Sequence, residues 1–485
     1  MKAHRSSPLL YGTVFVGVCG AAAVCTALSI LLTSPSSEDL RRSSLTPEEA
    51  KPMADAILQD KCASCHGPNA GYNSDLNHLT FGLMERHVNG AQRAWLMEND
   101  GSIRKDSVNL LKLNNTLTKR NMPPTSYSAI HWGSRLTPSD VAIVRRALNL
   151  PADGNVDAIT PIMPAPEPTA EQAAKIELGQ MLFYDGRLST NNKISCSSCH
   201  DLTKGGTDNK AKSEGVPGPD GKPQLGGVNA PTVYNAANHI CQFWDGRARD
   251  LQGQAGGPPL NPVEMGYAKP EDWNQIVAKL QQDPDIVARF AAVFGERGMT
   301  AETITEAIAA FEQTLVTPFS PFDDYLMGDE GALSEDQKAG WKTFLAHGCA
   351  TCHSGSAMGG NSFEYINTFA DLRSAAAPED YKEGAFGRYD FTKNEKHRDM
   401  FRVPSLRNVA LTAPYFHTGS VNKLEDAVRI MFRTQSESKF SEKDVEQVSA
   451  FLRSTTGRYK GKSLNELKPE DVTPAKYLGA AAEQQ

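Results

Sequence analysis

The hydrophobic positions of this chain recur mainly at helical spacing. Thr46-Pro-Glu-Glu49 is a capping box that predicts the start of a helix running into Lys61. Strand-like alternation is scarce, so the predicted fold class is mainly α. Further helices are predicted from apolar periodicity and flanking signals at 137–150, 169–184, 303–315, 334–346 and 441–454.

A charge-free apolar run near the N-terminus predicts a transmembrane helix. Its centre, residues 9–32, is 24 residues long, enough to cross a hydrocarbon layer of ~30 Å. Lys2 and Arg5 precede the run and place the rest of the chain on the far side of the membrane. A cleaved signal peptide is the alternative, although its apolar part is usually only ~7–15 residues.

Changes in composition divide the chain into predicted domains. The stretch 151–168 contains five prolines and little periodicity, which predicts a semi-rigid spacer. Residues 361–398 lack periodicity and predict irregular structure, and the composition after Lys460 is compatible with disorder. The predicted order is a membrane anchor (1–33), a first domain (34–150), the spacer (151–168), a second domain (169–325), a third domain (326–460) and a tail (461–485).

The composition restricts the classes of function. Forty per cent of the residues are apolar and 22% are charged, which is typical of a chain whose bulk is soluble. The net charge is −7 and Lys and Arg form no run, so nucleic acid is not an expected partner.

The cysteines carry the strongest chemical signal. Six of the nine belong to three copies of Cys-x-x-Cys-His: Cys62/Cys65/His66, Cys196/Cys199/His200 and Cys349/Cys352/His353. In this motif two thiols attach a haem covalently and the histidine ligates its iron. A zinc or disulfide interpretation does not explain three copies that each end in histidine. We therefore expect three covalently bound haem c groups, outside the cytoplasmic membrane.

The second axial ligand of each iron separates electron carriers from enzymes. Residues 34–150 resemble a monohaem cytochrome c domain, in which a methionine before the last helix supplies that ligand. Met122, in Asn121-Met-Pro-Pro124, occupies this place. The alternative ligands are His78, His87 and His131.

From Leu178 to about Arg453 the chain resembles the bacterial di-haem cytochrome c peroxidases. With its extra haem domain and anchor, the whole chain resembles the three-haem, membrane-anchored, quinol peroxidase-like subgroup. The blocks that carry the resemblance are Leu178-Gly179, Leu182-Phe183, Ile194-Ser-Cys196, Gly205-Gly-Thr-Asp208, Asn229-Ala-Pro-Thr232, Gln242-Phe-Trp-Asp-Gly-Arg247, Asn261-Pro-Val-Glu264-Met265, Val403-Pro-Ser-Leu-Arg-Asn408 and Thr412-Ala-Pro-Tyr-Phe-His-Thr-Gly419.

The resemblance assigns a role to each haem of the second and third domains. It implies a peroxidatic haem at His200 and an electron-transfer haem at His353. Met431 occupies the family's position for the second ligand of the latter, and Met400 and Met358 are the alternatives.

The resemblance also assigns the catalytic and calcium-binding positions. Glu264 is implied as the acid and base for peroxide, Gln254 as a polar neighbour that orients it, and Trp244 as an aromatic between the two haems. A calcium site between the haem domains is implied by three further residues: Asn229, Thr412 and Pro414.

The sequence departs from its relatives at one position. Many members of the family close the resting peroxidatic iron with a histidine sixteen residues after the haem-ligating one. Here that position is Val216, and 216–227 is a turn sequence without histidine. Either the iron is permanently open, or His239 supplies the ligand.

These observations predict an enzyme that reduces hydrogen peroxide to water. Electrons would pass through the other two haems from a quinol, a cytochrome c or a cupredoxin. We expect the chain to be anchored in the bacterial inner membrane with its haem domains in the periplasm, and a homodimer is compatible with it. The alternatives are a protein-modifying di-haem oxidase, whose second haem would have a tyrosine ligand, and a non-catalytic multihaem electron carrier.

Overall fold

A computed structural model describes residues 46–62, 136–148, 159–367, 386–436 and 439–478, together with Leu113 and Leu117. The chain divides into two compact units, 1–158 and 159–485. The predicted second and third domains therefore share one unit, and the division between the units lies inside the predicted spacer.

The described residues are mainly helical, as expected. In the first unit α1 is Pro47–Lys61 and α2 is Pro138–Ala147. The helices of the second unit are α3 (Ala170–Phe183), α4 (Cys196–Cys199), α5 (Leu251–Ala255), α6 (Trp273–Leu280), α7 (Pro284–Phe294), α8 (Ala301–Glu312), α9 (Pro321–Leu326), α10 (Glu335–Ala346), α11 (Arg388–Thr392), α12 (Leu424–Gln435), α13 (Glu442–Arg453) and α14 (Pro469–Val472).

Strands are few and short, and each of those described belongs to a two-stranded antiparallel hairpin. β1 (Glu214–Pro217) pairs with β2 (Pro223–Leu225). β3 (Phe363–Tyr365) pairs with β4 (Met400–Arg402), and β5 (Arg458–Tyr459) pairs with β6 (Lys462–Ser463). The irregular stretch expected at 361–398 thus contains one strand and one short helix within its described part.

Side-chain caps explain why the longer helices begin where the sequence predicts. Each cap accepts a hydrogen bond from a backbone N–H of the first turn and satisfies one of the unpaired donors there. The capping residues are Thr46, Thr137, Thr169, Thr300, Ser320, Ser334 and Ser441.

In the first unit α1 packs against α2. Small residues on α1, Ala50 and Ala54, are buried with Leu58 against Val144 of α2. Cys62 follows α1 directly, and its backbone N–H donates to the carbonyl oxygen of Leu58 (2.9 Å). The helix predicted to lead into the first haem motif is therefore confirmed. The other ligand candidates of this motif, Cys65, His66, Met122, His78, His87 and His131, lie outside the described residues.

The second unit contains two pairs of crossing helices, and each pair is closest at a glycine. A Cβ atom at Gly179 of α3 would lie 1.8 Å from the carbonyl oxygen of Ala307 on α8. A Cβ atom at Gly340 of α10 would lie 1.9 Å from the carbonyl oxygen of Gln447 on α13. In each pair one helix precedes a haem motif, with twelve residues between α3 and Cys196 and two between α10 and Cys349, so the unit repeats one packing arrangement twice.

The end of the predicted spacer does not behave as a spacer. Ile159 and Ile162 are buried in the second unit. The carbonyl oxygen of Thr160 accepts from Arg407 Nη2 (3.1 Å), and Arg407 pairs with Asp323 (2.8 Å) with both side chains fully buried. These contacts fix the chain before α3, because a buried ion pair tolerates little movement of its partners.

The segment after Lys460, whose composition is compatible with disorder, is ordered up to residue 478. Leu464, Leu467 and Val472 are buried in a core that includes Phe183 and Tyr234. The segment therefore covers one side of the second haem motif. Its apolar residues are spaced too irregularly for a helical pattern, and for this reason its order was not predicted from the sequence.

None of the helices in the described ranges is long and apolar enough to cross a membrane. The predicted anchor, residues 9–32, lies outside these ranges.

Candidate haem and peroxide sites

The second haem motif presents its histidine in the state that iron requires. Cys196 and Cys199 bound the short helix α4, and His200 follows it. His200 Nδ1 lies 3.3 Å from the carbonyl oxygen of Gly206. A hydrogen bond donated from Nδ1 leaves Nε2 with its lone pair for a metal. Burial lowers the pKa of His200 and so favours the neutral ring.

Glu264 lies in the same part of the unit. Asn261 Nδ2 donates to Glu264 Oε1 (2.7 Å) and holds the carboxyl group in place. Burial raises the pKa of Glu264, and the charge of Arg247 and the Asn261 hydrogen bond oppose the rise. Burial, with smaller contributions from Asp208 and Glu264, raises the pKa of Cys199 to about 11.

Val216 occupies the position where the resemblance implies a histidine in many members of the family, and it lies beside Glu264. Val216 is buried, and its backbone N–H donates to the carbonyl oxygen of Glu264 (2.9 Å). The turn predicted here is the tip of the β1–β2 hairpin, which Gln224 Nε2 ties to the carbonyl oxygens of Val216 and Pro262 (both 3.3 Å). The apolar side chain of Val216 supplies no ligand to iron.

Gln254 and Arg247 come from neighbouring elements. Gln254 is half-buried on α5. The Arg247 guanidinium lies 3.5 Å from the centre of the Phe243 ring and pairs with Asp245 (3.0 Å). Sequence reasoning quoted Arg247 and Asn261 only as parts of motifs, because their effect on Glu264 depends on a turn and a loop that meet in space.

The third haem motif has the same histidine arrangement as the second. His353 Nδ1 lies 3.3 Å from the carbonyl oxygen of Met358. Burial lowers the pKa of His353 to about 4, so the ring is neutral. Met358 thus orients the histidine through its backbone.

A cavity opens beside this motif. Its volume is about 250 Å³, near the lower end of the ~300–1,000 Å³ of ordinary small-molecule pockets. Cys349, Cys352 and His353 line it, and so does Met431 from α12. Met358 and Met400 do not line it. Of the three candidate methionines, Met431 is thus the one that lines this cavity together with His353.

Trp244 lies on the wall of this cavity as well. Its Nε1–H donates to the carbonyl oxygen of Asn229 (2.9 Å), and its ring contacts Phe401 edge-on with 6.4 Å between centroids. The backbone N–H of Arg402 donates to the carbonyl oxygen of Trp244 (2.8 Å). These bonds join the second-domain turn at 242–247 to the third domain.

The three predicted calcium ligands lie on the wall of one cavity. Asn229, Thr412 and Pro414 line the same cavity. The side-chain amide of Asn209 donates to the carbonyl oxygens of Leu411 and Ala413 (both 2.9 Å), which holds the segment that carries Thr412 and Pro414. Within the described ranges no cluster of three His, Cys, Asp or Glu could hold a metal ion, so a cation here would depend on carbonyl and amide oxygens.

His239 faces the third haem motif. Its Nδ1 lies 3.1 Å from Arg402 Nη1, its ring packs against Gly360, and it lines the cavity beside His353. His200 is not among the residues that line this cavity. The described contacts thus place His239 at the third haem motif.

One buried acid had no signal in the sequence. Glu312, at the end of α8, is buried, and its Oε2 atom has no hydrogen-bond partner among the described residues. Burial raises the pKa of Glu312 to about 8, and its charge contributes to the raised pKa of Cys196.

The residues of the second and third motifs fit a covalently bound haem. Both histidines are neutral, each offers Nε2, and the third motif opens on a cavity that contains a methionine. Of the first motif, the structure describes only Cys62.

Comparison with known proteins agrees with this chemistry. The sequence model of the di-haem cytochrome c peroxidases matches residues 173–331, and that of a haem-binding domain matches 24–149. Cytochrome c peroxidase Ccp of Escherichia coli is 38% identical over 83% of this chain and 87% of its own length. The chain belongs to the di-haem cytochrome c peroxidase family. The peroxidase activity and covalently bound haem c expected from the resemblance follow from this membership.

Two further relatives delimit the family. Cytochrome c551 peroxidase of Nitrosomonas europaea is 45% identical over 63% of this chain and 86% of its own length. The crystal structure of a MauG-like protein associated with microbial copper homeostasis is 29% identical, with a TM-score of 0.50 over 61% of this chain and 92% of that one. The family thus spans peroxidases and MauG-like proteins, and the alternative of a non-catalytic electron carrier is set aside.

Proposed function

We propose that this peroxidase reduces hydrogen peroxide to water at a haem attached to Cys196 and Cys199 and ligated by His200. The observation that carries the proposal is the half-buried carboxyl group of Glu264, which is fixed by the hydrogen bond from Asn261 and whose charge contributes to the raised pKa of Cys199. The overall reaction consumes one peroxide, two electrons and two protons and yields two waters.

The haem would supply an iron atom that binds peroxide and exchanges electrons with it. Glu264 would take the proton of the incoming peroxide and return it to the leaving oxygen. Asn261 holds Oε1 by a 2.7 Å hydrogen bond, so Oε2 is the atom for proton transfer. Partial burial raises the pKa of Glu264 above that of an exposed glutamate, which suits a group that both accepts and donates a proton.

The other two haems would refill the site with electrons. In this proposal His353 and Met431 ligate the electron-transfer haem, Trp244 lies between it and the His200 haem, and His66 and Met122 ligate the first haem. The placement of Met431 and Trp244 on one cavity wall with His353 supports the first two assignments. The assignment of His66 and Met122 to the first haem rests on the sequence pattern alone.

The electron donor and the location are proposed from the sequence. A membrane helix at 9–32 and a built-in haem domain favour quinol as donor, with the haem domains in the periplasm. The names of the relatives favour a cytochrome c-type donor. A cupredoxin is the third candidate donor. A calcium ion at Asn229, Thr412 and Pro414 is proposed to join the second and third domains. A homodimer is compatible with these assignments.

We propose that the His200 iron is open at rest. Val216 and the β1–β2 hairpin occupy the place of the family's closing ligand, and His239 contacts Arg402. EPR of the oxidised protein should show high-spin ferric iron, with peroxide turnover that begins without prior reduction. Low-spin signals alone, with turnover only after partial reduction, would show that a ligand closes the site.

Substitution of Glu264 tests the catalytic proposal. Glu264→Gln should lower kcat/KM for hydrogen peroxide ~10²–10⁴-fold, as expected for loss of a general acid and base, with the haem absorption spectrum unchanged. Glu271→Gln, an exposed glutamate seven residues later, is the matched control and should turn over normally. Full activity of Glu264→Gln would exclude Glu264 from proton transfer.

The protein-modifying alternative depends on the ligand of the His353 haem. Tyr365 and Tyr415 line the same cavity as Met431, so tyrosine ligation is geometrically open. Met431→Gln should remove the red absorption band of thioether-ligated ferric haem. If that band is absent from the unmodified protein and Tyr415→Phe changes the spectrum instead, the MauG-like function is favoured.

A further inference from the structure

Arg402 is a buried cation that has no acidic partner among the described residues. Its side chain is 3% exposed. Nε donates to the carbonyl oxygen of Phe243 (3.1 Å), and Nη1 lies 3.1 Å from His239 Nδ1. No carboxylate of the described residues is within ion-pair distance of it. A buried guanidinium is strongly destabilising unless an anion compensates its charge.

The contact with Arg402 determines which nitrogen of His239 carries the proton. A guanidinium can only donate hydrogen bonds, so His239 Nδ1 must accept, and in the neutral ring Nε2 then bears the hydrogen. Burial and the positive charge of Arg402 both lower the pKa of His239, so the ring is neutral. His239 Nε2 is buried and has no acceptor among the described residues.

The His239 ring has no room to turn toward another partner. A Cβ atom at Gly360 would lie 2.1 Å from His239 Cδ2, so the ring packs directly on the Gly360 backbone. The Ile240 N–H donates to the carbonyl oxygen of Gly360 (2.9 Å) and holds the two segments together. The orientation of the Nε2–H donor is therefore built into the fold.

Both donors belong to the wall of the cavity at the third haem motif. Arg402 and His239 line it together with Cys349, Cys352 and His353. Glu364 is the carboxylate among the described lining residues, and it forms no ion pair with Arg402. Among the described residues no carboxylate meets these donors, and a haem bound in the cavity would carry two propionate carboxylates.

We propose that Arg402 and His239 together bind a propionate carboxylate of the haem attached to Cys349 and Cys352. Arg402 supplies the charge, and His239 supplies a second, neutral donor through Nε2. The proposal rests on the haem assigned to the third motif under the proposed function. It also gives His239 a role that excludes iron ligation, because Nε2–H has no lone pair to offer.

The reduction potential of this haem is the property that the pair would control. Reduction removes one positive charge from the iron, so a nearby cation favours the ferrous state, and neutralising a propionate has the same effect. Loss of Arg402 should therefore shift the equilibrium toward ferric haem. A residue that only supports the fold would not change one haem selectively.

The test is a spectroelectrochemical titration of the full chain, with each haem followed by its own absorption and EPR signals. Arg402→Gln should shift the His353 haem toward the ferric state at least tenfold, which is ~59 mV for a one-electron couple, and leave the His200 haem in place. Arg402→Lys should restore most of the potential. Arg388→Gln is the control: Arg388 donates to the carbonyl oxygen of Asp245 (3.3 Å) in the neighbouring turn and does not line the cavity.

A second variant keeps the proposal testable if Arg402→Gln does not fold. His239→Asn removes the Nε2 donor, leaves Arg402, and should shift the same haem in the same direction by a smaller factor. Unchanged potentials in the folded variants, or equal shifts of both haems, would overturn the proposal. Mass spectrometry of the Cys349–Cys352 peptide checks the haem independently: if wild-type protein carries none there, the proposed electron-transfer haem fails, whereas haem with unchanged potentials refutes only the propionate site.

Discussion

Glu264 and Glu312 are two glutamates of the second unit with different surroundings, since Glu264 is half-buried and Glu312 is buried. Glu264 accepts a hydrogen bond from Asn261 and lies in the field of Arg247, and both effects limit the rise in pKa that burial causes. Burial alone determines the raised pKa of Glu312. Glu264 can therefore exchange a proton during turnover, whereas Glu312 is expected to hold its proton at neutral pH.

The charge of Arg247 should be visible in the pH dependence of the peroxide reaction. Because it lowers the pKa of Glu264, Arg247→Gln should move the acidic limb of kcat/KM to higher pH. Arg247 is exposed, so we expect a shift below ~1 pH unit that shrinks at high salt. Arg249→Gln, the exposed arginine two positions later, should leave the limb in place; equal shifts in both variants would indicate a general surface-charge effect.

Glu312 should reduce stability as the pH rises. Its pKa is about 8 in the folded protein and near ~4.3 when unfolded, so the folded state binds the extra proton between these values. Its favourable contribution is complete below ~pH 4 and is lost as the pH rises to about 8. Glu312→Gln should therefore raise the free energy of unfolding at pH 8 by at least ~1 kcal/mol and flatten its pH profile in urea denaturation.

Glu306, six residues earlier on α8, is the matched control for Glu312. Burial favours its neutral form, but hydrogen bonds from Lys175 and Arg297 outweigh burial and lower its pKa. Its stabilising contribution is therefore present above the unfolded pKa and is lost as the pH falls. Glu306→Gln should destabilise the protein at pH 8; stabilisation by both variants would mean that side-chain charge on α8 is unfavourable in general.

At the scale of elements, the two haem-bearing halves of the second unit share one arrangement of crossing helices. In each half the helix before the haem motif crosses a later helix at a glycine, α3 with α8 and α10 with α13. The absence of a side chain lets the backbones approach closely, and the close approach fixes where the haem motif begins.

Substitution of these glycines should perturb one haem at a time. Gly179→Ala and Gly340→Ala would each place a Cβ atom less than 2 Å from a carbonyl oxygen, so the helices must separate, at a cost of ~1–3 kcal/mol. Differential scanning calorimetry should show a lower Tm for both. Gly179→Ala should alter the spectrum of the His200 haem and Gly340→Ala that of the His353 haem.

Gly227→Ala is the control for the crossing glycines, because no atom lies within 4 Å of its added Cβ. Its Tm should equal that of the wild type. If Gly179→Ala and Gly340→Ala also leave Tm and spectra unchanged, the close helix crossings do not position the haem motifs.

At the scale of the whole molecule, segments outside the two haem-bearing halves complete the second unit. Residues 159–162 are fixed by the buried Asp323–Arg407 pair. The segment after Lys460 buries Leu464, Leu467 and Val472. Lys476 pairs with Asp283 (2.6 Å). Residues far apart in the sequence thus share one core.

Removal of the C-terminal segment should destabilise the second unit. A chain that ends at Lys460 loses three buried aliphatic side chains, each contributing ~1.5–3 kcal/mol. Urea unfolding followed by the absorption of the His200 haem should show a lower midpoint. A chain that ends at Leu478 keeps the contacts described above and should unfold at the wild-type midpoint; identical midpoints for both truncations would show that the segment contributes nothing.

The sequence by itself determined the local features of this protein. Capping residues and apolar spacing located α1, α2, α3, α8, α10 and α13 to within a few residues, because a helix start is specified by neighbours in the chain. Three copies of Cys-x-x-Cys-His determined the haem chemistry, since the two thiols and the histidine lie within five consecutive positions. The resemblance also named Glu264 and Met431 before any contact was known.

Only the tertiary structure decided how distant residues act on one another. The raised pKa of Glu264, the burial of Glu312 and the contact of Arg402 with His239 depend on segments that meet only in the folded chain. The packing of the C-terminal segment was also not predictable from the sequence, because its buried residues follow no regular period. Burial and electrostatic interactions depend on distance in space, and the local sequence pattern does not contain that distance.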